Sequence, residues 1–413
     1  MALSLTACNN SSASSESSGS SAAESPADSG AAASTAESQA PAESGDGQLL
    51  SNPIALNSEG DIDMDTALAY ETDYEAMKAY FESREVDPTK PVSENAQTNE
   101  KTMEVWNYLR SVYGKQVITC QQMMGNESYE DLVFYNATND LTAMKGYDFI
   151  FCTGSYHSDD MIDEAIEWSK ESGGLCAFTW HWNVPKDIDN PEGGYAFYTN
   201  EITNFSQVNA VTPGTKEYET VIHDIDLIAT KIQRMESEGV TILFRPLHEA
   251  SGGWFWWGAS GADAYLQLYK LMYERLTNVH GLNNLIWVWN GQDAAWYPGD
   301  EYVDIIGEDI YPGKHVYTSQ AARFIKALSY TDTRKLITLS ENGCIPDPEQ
   351  LVRDNIMWSY WCVWEGEFVL KAAGFNNYSE QYTEKNMLKK AYKSDMVITR
   401  KELPDLRNYP LGD

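Results

Sequence analysis

The chain has 413 residues, with 29 Lys and Arg against 62 Asp and Glu and a net charge of −33. That balance excludes nucleic acid and other polyanions as partners, because binding by counterion release needs clustered Lys and Arg. A neutral ligand is the natural fit. No stretch approaches the twenty apolar residues of a membrane span.

Residues 1–8 end in Leu5-Thr6-Ala7-Cys8, which is similar to a bacterial lipobox, where the Cys is lipidated after signal cleavage. A full signal peptide carries a basic region and a longer apolar core, so this segment reads as a remnant of one. Residues 9–48 are dominated by Ser, Ala, Glu, Gly and Pro, without Lys or Arg. They cannot bury enough apolar surface to offset their ordering entropy and are expected to be a disordered linker. Together the two segments predict a lipid anchor on Cys8 as the one membrane contact, and an extracellular place on a bacterial cell surface. Dual acylation, as lipoproteins carry, suffices for stable anchoring. Residues 49–98 read as a leader packing on the main domain. Within it Asp61, Asp63 and Asp65 alternate like a calcium loop. Thr66 stands where that loop needs Gly, however, and Thr72 where it needs Glu, so the run reads as solvated charge.

Over 99–413 the chain repeats a short apolar run, a loop and an amphipathic segment. The runs are 116–120, 148–152, 175–181, 240–249, 284–290, 303–309, 335–341 and 358–364. Helical spacing appears over 160–172, 219–239, 262–280 and 319–329, with Gly239 as a stop signal. Continuous apolar strands alternating with helices call for a parallel sheet covered on its outside. Eight such units in about 300 residues predict an α/β fold of the (β/α)8 TIM-barrel class, with its site at the C-terminal strand ends. An open doubly wound sheet is the rival, but no Gly-rich fingerprint follows the first strand.

Cys120, Cys152, Cys176, Cys344 and Cys362 fall in or beside apolar runs, without zinc-type spacing. Buried free thiols are expected, with one disulfide between neighbouring strands left open.

Chemistry gathers where the barrel puts its mouth. Strand three ends in Thr179-Trp180-His181-Trp182. Strand four ends in Arg245-Pro246-Leu247-His248-Glu249, followed by Trp254-Phe255-Trp256-Trp257-Gly258. Strand five ends in Trp289-Asn290, strand six in Glu308-Asp309-Ile310-Tyr311 and strand seven in Ser340-Glu341-Asn342-Gly343; strand eight carries Trp361 and Trp364. Two carboxyl groups about 5 Å apart form a nucleophile and an acid for glycosidic bonds, and aromatic faces stack on pyranose rings. Glu249, beside Trp254, meets the acid's need for apolar surroundings. Glu341 is expected to stay ionised, held by Tyr311 and Arg245. His248-Glu249 is not a zincin motif, because no second His follows at the required spacing, and neither metal nor cofactor is expected.

Across residues 100–395 these motifs resemble glycoside hydrolase family 26, a clan A group of retaining enzymes typified by β-mannanases. Further support comes from Trp180-His181, Tyr297-Pro298-Gly299-Asp300, Asp304 and Asp309-Ile310-Tyr311. The resemblance implies Glu249 as acid/base and Glu341 as nucleophile. It implies His181, His248, Trp254 and Tyr311 on the substrate side, with a strand-eight tryptophan, Trp364 in preference to Trp361, under the sugar; Arg245 is grouped with them. Ala250-Ser251 departs from the family, in which many relatives carry larger or more polar residues there. The implied activity is endo-hydrolysis of β-1,4-mannosidic bonds in mannan, glucomannan or galactomannan by a monomer. The same family holds β-1,3-1,4-glucanases and β-1,3-xylanases, and a non-catalytic glycan-binding lipoprotein is the reading from another class.

Overall fold

The computed structural model describes residues 98–125, 129–333, 335–371 and 377–409. The lipobox Cys8, the linker 9–48 and leader residues 49–97 lie outside them. Eight strands alternate with helices: β1 (Val117–Gln122), β2 (Met144–Asp148), β3 (Leu175–Thr179), β4 (Ile242–Arg245), β5 (Leu285–Trp289), β6 (Ile305–Ile310), β7 (Leu336–Asn342) and β8 (Tyr360–Val363). Each pairs in parallel with the next, and β8 pairs back to β1, so the sheet closes into the expected barrel. A ninth strand, β9 (Val397–Ile398), adds to the start of β1.

Enclosure on both faces explains why the strands read as unbroken apolar runs. Every strand residue is buried apart from a half-buried Ala177 and, in the two-stranded hairpin outside the barrel, a half-buried Tyr195. The second strand differs from expectation. It spans Met144–Asp148, and 149–151 form a 3-10 turn in which the Ile150 amide donates to the Asp148 carboxylate at 2.9 Å. Lys145 and Gly146 hid this strand, since neither is a strand former. Lys145 is nonetheless buried, because its ammonium pairs with Asp131 and Glu164, each at 2.6 Å. Burial is tolerated where the charge finds partners.

Local chemistry sets the helix boundaries. The helix α1 (Lys216–Ser237) begins three residues before the periodic pattern because the Thr215 hydroxyl caps the Tyr218 amide at 3.2 Å. It buries Val221, Ile225, Ile228, Ile232 and Met235 along one stripe and stops before Gly239, whose φ of 77° suits an achiral residue. Between β5 and β6 no α-helix intervenes among the described residues; two 3-10 turns, Ala294–Trp296 and Asp300–Tyr302, make the crossing.

One irregularity shapes the mouth. On the β6 side Glu308 aligns with Leu339 and Asp309 with Glu341, and on the β8 side Trp361 aligns with Leu339 and Val363 with Asn342. The strand β7 therefore carries one extra residue at its C-terminal end, a β-bulge. Through it two consecutive side chains, Ser340 and Glu341, reach the same inward polar group.

Candidate active site

Arg245 ends β4 with its guanidinium buried in the barrel mouth. It donates to Asp309 at 2.8 Å and Asn290 at 3.1 Å through Nη1, and to Glu341 at 2.7 Å through Nη2. The Ser340 hydroxyl donates to the other Asp309 oxygen at 2.6 Å, and Tyr311 donates its hydroxyl to the second Glu341 oxygen. Both Glu341 oxygens are thus held, one by a guanidinium and one by a hydroxyl donor, the arrangement that fixes a carboxylate in one orientation. Arg245, grouped in the sequence reading with the substrate-side residues, has its fork engaged by carboxylates and is 5% exposed, a placement that suits it to positioning Glu341.

Glu249 sits just beyond β4 on a strained loop, where both Leu247 and Glu249 have φ of 52°. Left-handed backbone at non-glycine residues costs on the order of 1–3 kcal/mol each and persists only where surroundings over-determine it. Here the Glu249 amide donates to the Asn290 carbonyl at 2.8 Å, and the Trp257 indole donates to the His248 carbonyl at 2.8 Å. Burial above all, then the negative charges of Glu341 and Asp309, pushes Glu249 well above the usual carboxylate range. Trp254 opposes this by donating its indole N–H to Glu249 at 3.0 Å. Its ring lies over Gly252, where an added Cβ would come within 2.0 Å of the indole. Only glycine leaves that space.

Oxygen atoms of Glu249, Asp309 and Glu341 all lie within 4.8 Å of one another. Three carboxylates at this spacing could ligate a cation, but Arg245 already stands between two of them and neutralises the charge a metal would meet. The Glu249–Glu341 approach is that of the roughly 5 Å carboxyl pairs that form and resolve a glycosyl-enzyme, and is shorter than the spacing that admits a water for direct inversion.

A polar relay flanks the pair. The Asp148 carboxylate accepts from His181 Nδ1 at 2.5 Å and from its backbone amide at 2.9 Å. His181 Nε2 faces His248 Nε2 at 3.2 Å, and His248 Nδ1 lies 3.1 Å from the Thr179 hydroxyl. Burial, then the charges of Arg245 and His181, holds His248 far below the ordinary imidazole range, so its ring is neutral. The Nε2 contact is accordingly one N–H donated to one lone pair. His248 is 1% exposed and reaches the cleft through His181. Trp364 closes this side, its ring 5.8 Å from that of His181, while Trp361 is fully buried in the barrel wall. Of the three clustered tryptophans only Trp254 borders the cleft; Trp256 and Trp257 are packing residues, 2% and 0% exposed.

The structure thus brings Glu249, Glu341, Arg245, His181, His248, Trp254, Tyr311 and Trp364 to one end of the barrel. Sequence reasoning gave no role to Asp148, Thr179, Asn290 or Ser340. The last three stand at strand ends and could have been found by position. Asp148 was missed because its strand was placed four residues too late.

A family model described as glycosyl hydrolase family 26 matches residues 92–402. A mannan endo-1,4-β-mannosidase A of Piromyces sp is 36% identical over 324 residues, taking in 76% of this chain and 51% of that protein. The chain thus spans about half the length of this curated relative. The crystal structure of a ruminal GH26 endo-β-1,4-mannanase superposes with a TM-score of 0.70 at 33% identity, covering 78% of this chain and 71% of the other. A β-mannanase from a symbiotic protist of the termite Reticulitermes speratus, complexed with gluco-manno-oligosaccharide, gives a TM-score of 0.68 at 30% identity over 77% and 98%.

Proposed function

Because the chain belongs to glycosyl hydrolase family 26, we propose that its barrel mouth cleaves internal β-1,4-mannosidic bonds of mannan, glucomannan or galactomannan with retention of configuration. The observation that carries this reading is the Glu249–Glu341 pair, two carboxyl groups with oxygens within 4.8 Å and opposite environments. Glu249, kept protonated by burial, gives its proton to the departing glycosidic oxygen. Glu341, ionised and aimed by Arg245 and Tyr311, attacks the anomeric carbon and forms a glycosyl-enzyme. Glu249, now a carboxylate, then takes the proton of the incoming water, and the ester to Glu341 breaks. Trp364 and Trp254 offer faces for the sugar rings, and His181 offers a ring nitrogen to their hydroxyls. The mannan class is supported by the mannanase relatives and neighbours.

Two variants test the assignment. Glu341→Ala should be inactive on every substrate. Glu249→Ala should still open aryl mannosides with good leaving groups, then stall, and azide should rescue that second step with retained configuration. If azide instead gives the inverted azide with Glu249→Ala and the retained azide with Glu341→Ala, the roles are exchanged. Release from lichenan or β-1,3-xylan but not from mannan would overturn the substrate class.

We further propose that Cys8 carries a lipid anchor and that the Ser/Ala/Glu-rich linker holds a monomeric catalytic barrel off a bacterial surface, on the strength of Leu5-Thr6-Ala7-Cys8 and the composition that follows. Replacing Cys8 by Ser should move activity from the membrane fraction to the medium; unchanged partition would refute the anchor.

A further inference from the structure

Two thiols face each other across the seam that closes the barrel. Cys120 of β1 and Cys362 of β8 are register partners in the parallel ladder, and their Sγ atoms stand 3.1 Å apart. Neighbouring strands run about 4.8 Å apart, inside the roughly 4.4–6.8 Å Cα span that a disulfide bridges. Both side chains occupy the barrel interior. A Cβ placed on Gly146 of β2 would meet the Cys362 sulfur at 3.2 Å and the Gln122 amide oxygen at 2.3 Å. The other cysteines are placed differently: Cys152, Cys176 and Cys344 each direct Sγ to a backbone carbonyl, of Ser158, Ala165 and Gly313.

We propose that Cys120 and Cys362 are joined as a disulfide across the β1–β8 seam, made by exchange with a disulfide donor of the glutathione or thiol-oxidase class while the barrel closes. The first thiolate attacks the donor's S–S bond, forming a mixed disulfide and releasing one donor thiolate. The second cysteine thiolate then attacks the protein sulfur of that mixed disulfide, forming the Sγ–Sγ bond and expelling the other donor sulfur. The pair loses two electrons and two protons, and the donor ends as two thiols.

The exchange belongs to folding rather than to the finished barrel. Both cysteines are at most 3% exposed, and burial, then the nearby Cys362 thiol and Cys176, push the Cys120 thiol well above its ordinary value. A donor would reach neither sulfur afterwards, and little thiolate would form. The bond would join residues 242 apart, which encloses nearly the whole barrel, and closure of so long a loop constrains the unfolded chain most. It would also lie one inward step below Gln122 and two residues before Trp364. The platform proposed for the sugar would thereby be tied to β1.

The test compares the full chain produced in a reducing cytoplasm with the same chain exported into an oxidising periplasm. Each preparation is denatured in an alkylating reagent, digested and weighed. The exported protein should yield one linked peptide pair containing Cys120 and Cys362, lost on reduction, with Cys152, Cys176 and Cys344 alkylated in both. Its melting temperature should exceed that of the cytoplasmic protein by at least about 3 °C, and the C120A/C362A variant should abolish that difference. Complete alkylation of Cys120 and Cys362 in the exported protein, or linkage of either to another cysteine, overturns the proposal.

Discussion

The indole of Trp254 touches the proposed acid and borders the cleft at once, which separates its two effects experimentally. Its hydrogen bond to Glu249 favours the ionised form, so its removal raises the Glu249 pKa further. Activity on the alkaline side is lost as the acid ionises. Trp254→Ala should therefore move the alkaline limb of kcat/KM to higher pH while lowering its plateau about two- to tenfold through lost stacking. The denaturation midpoint should hardly change, because this half-buried ring is not core; Trp257→Ala should instead cost roughly 3–5 kcal/mol of stability. A pH profile of the Trp254 variant with an unmoved alkaline limb would mean that the indole does not tune the acid.

At the scale of elements, the bulge in β7 decides which side chains share the barrel mouth. Side chains along a strand alternate between the two faces, so Ser340 and Glu341 could not both meet Asp309 and Arg245 in a regular strand. Deleting Ser340 removes the extra residue but leaves Glu341 directly after the outward Leu339, still inward and opposite Asp309. Such a variant should keep the circular dichroism of the barrel and a measurable fraction of activity, as should Ser340→Ala, which loses the same hydrogen bond to Asp309. Loss of activity to background in the deletion alone would show that the extra residue, and not the hydroxyl, aims Glu341. This device was not legible in the sequence. Alternating strands and helices announced the barrel, and polar groups after apolar runs announced Glu249, Glu341, His181 and Tyr311. A bulge leaves no mark in composition, however, because its cause is pairing with β6 and β8, hundreds of atoms away along the chain. The misplaced β2 has a similar origin: Lys145 looks like surface until Asp131 and Glu164 are brought to it by folding. Likewise nothing in Trp254-Phe255-Trp256-Trp257 tells which indoles are walls and which are packing.

For the whole molecule, acidity is a cost that burial magnifies. Glu130 is 1% exposed, and desolvation raises its carboxyl from an ordinary 4.5 to about 7. A carboxyl with a raised folded pKa binds more protons in the native than in the unfolded state between those two values. Stability therefore falls as pH rises from about 4.5 and levels off above 7. Glu130→Gln keeps an acceptor for the Met124 amide and removes the titration. Its stability relative to the parent should improve by on the order of 2–3 kcal/mol between pH 4.5 and 8, read from urea unfolding at both. A constant difference across that window would assign the pH response elsewhere.

Arg245 gives the barrel a property that no single contact states. From the end of β4 its guanidinium grips Asn290 after β5, Asp309 on β6 and Glu341 on β7, four consecutive staves fastened by one rivet. A chain in which half the staves have assembled owns both carboxyl groups yet lacks the grip that aims one at the other. Turnover is thus an all-or-nothing signal of assembly: partly built molecules are mute, and any rate measured in a mixture counts finished barrels alone.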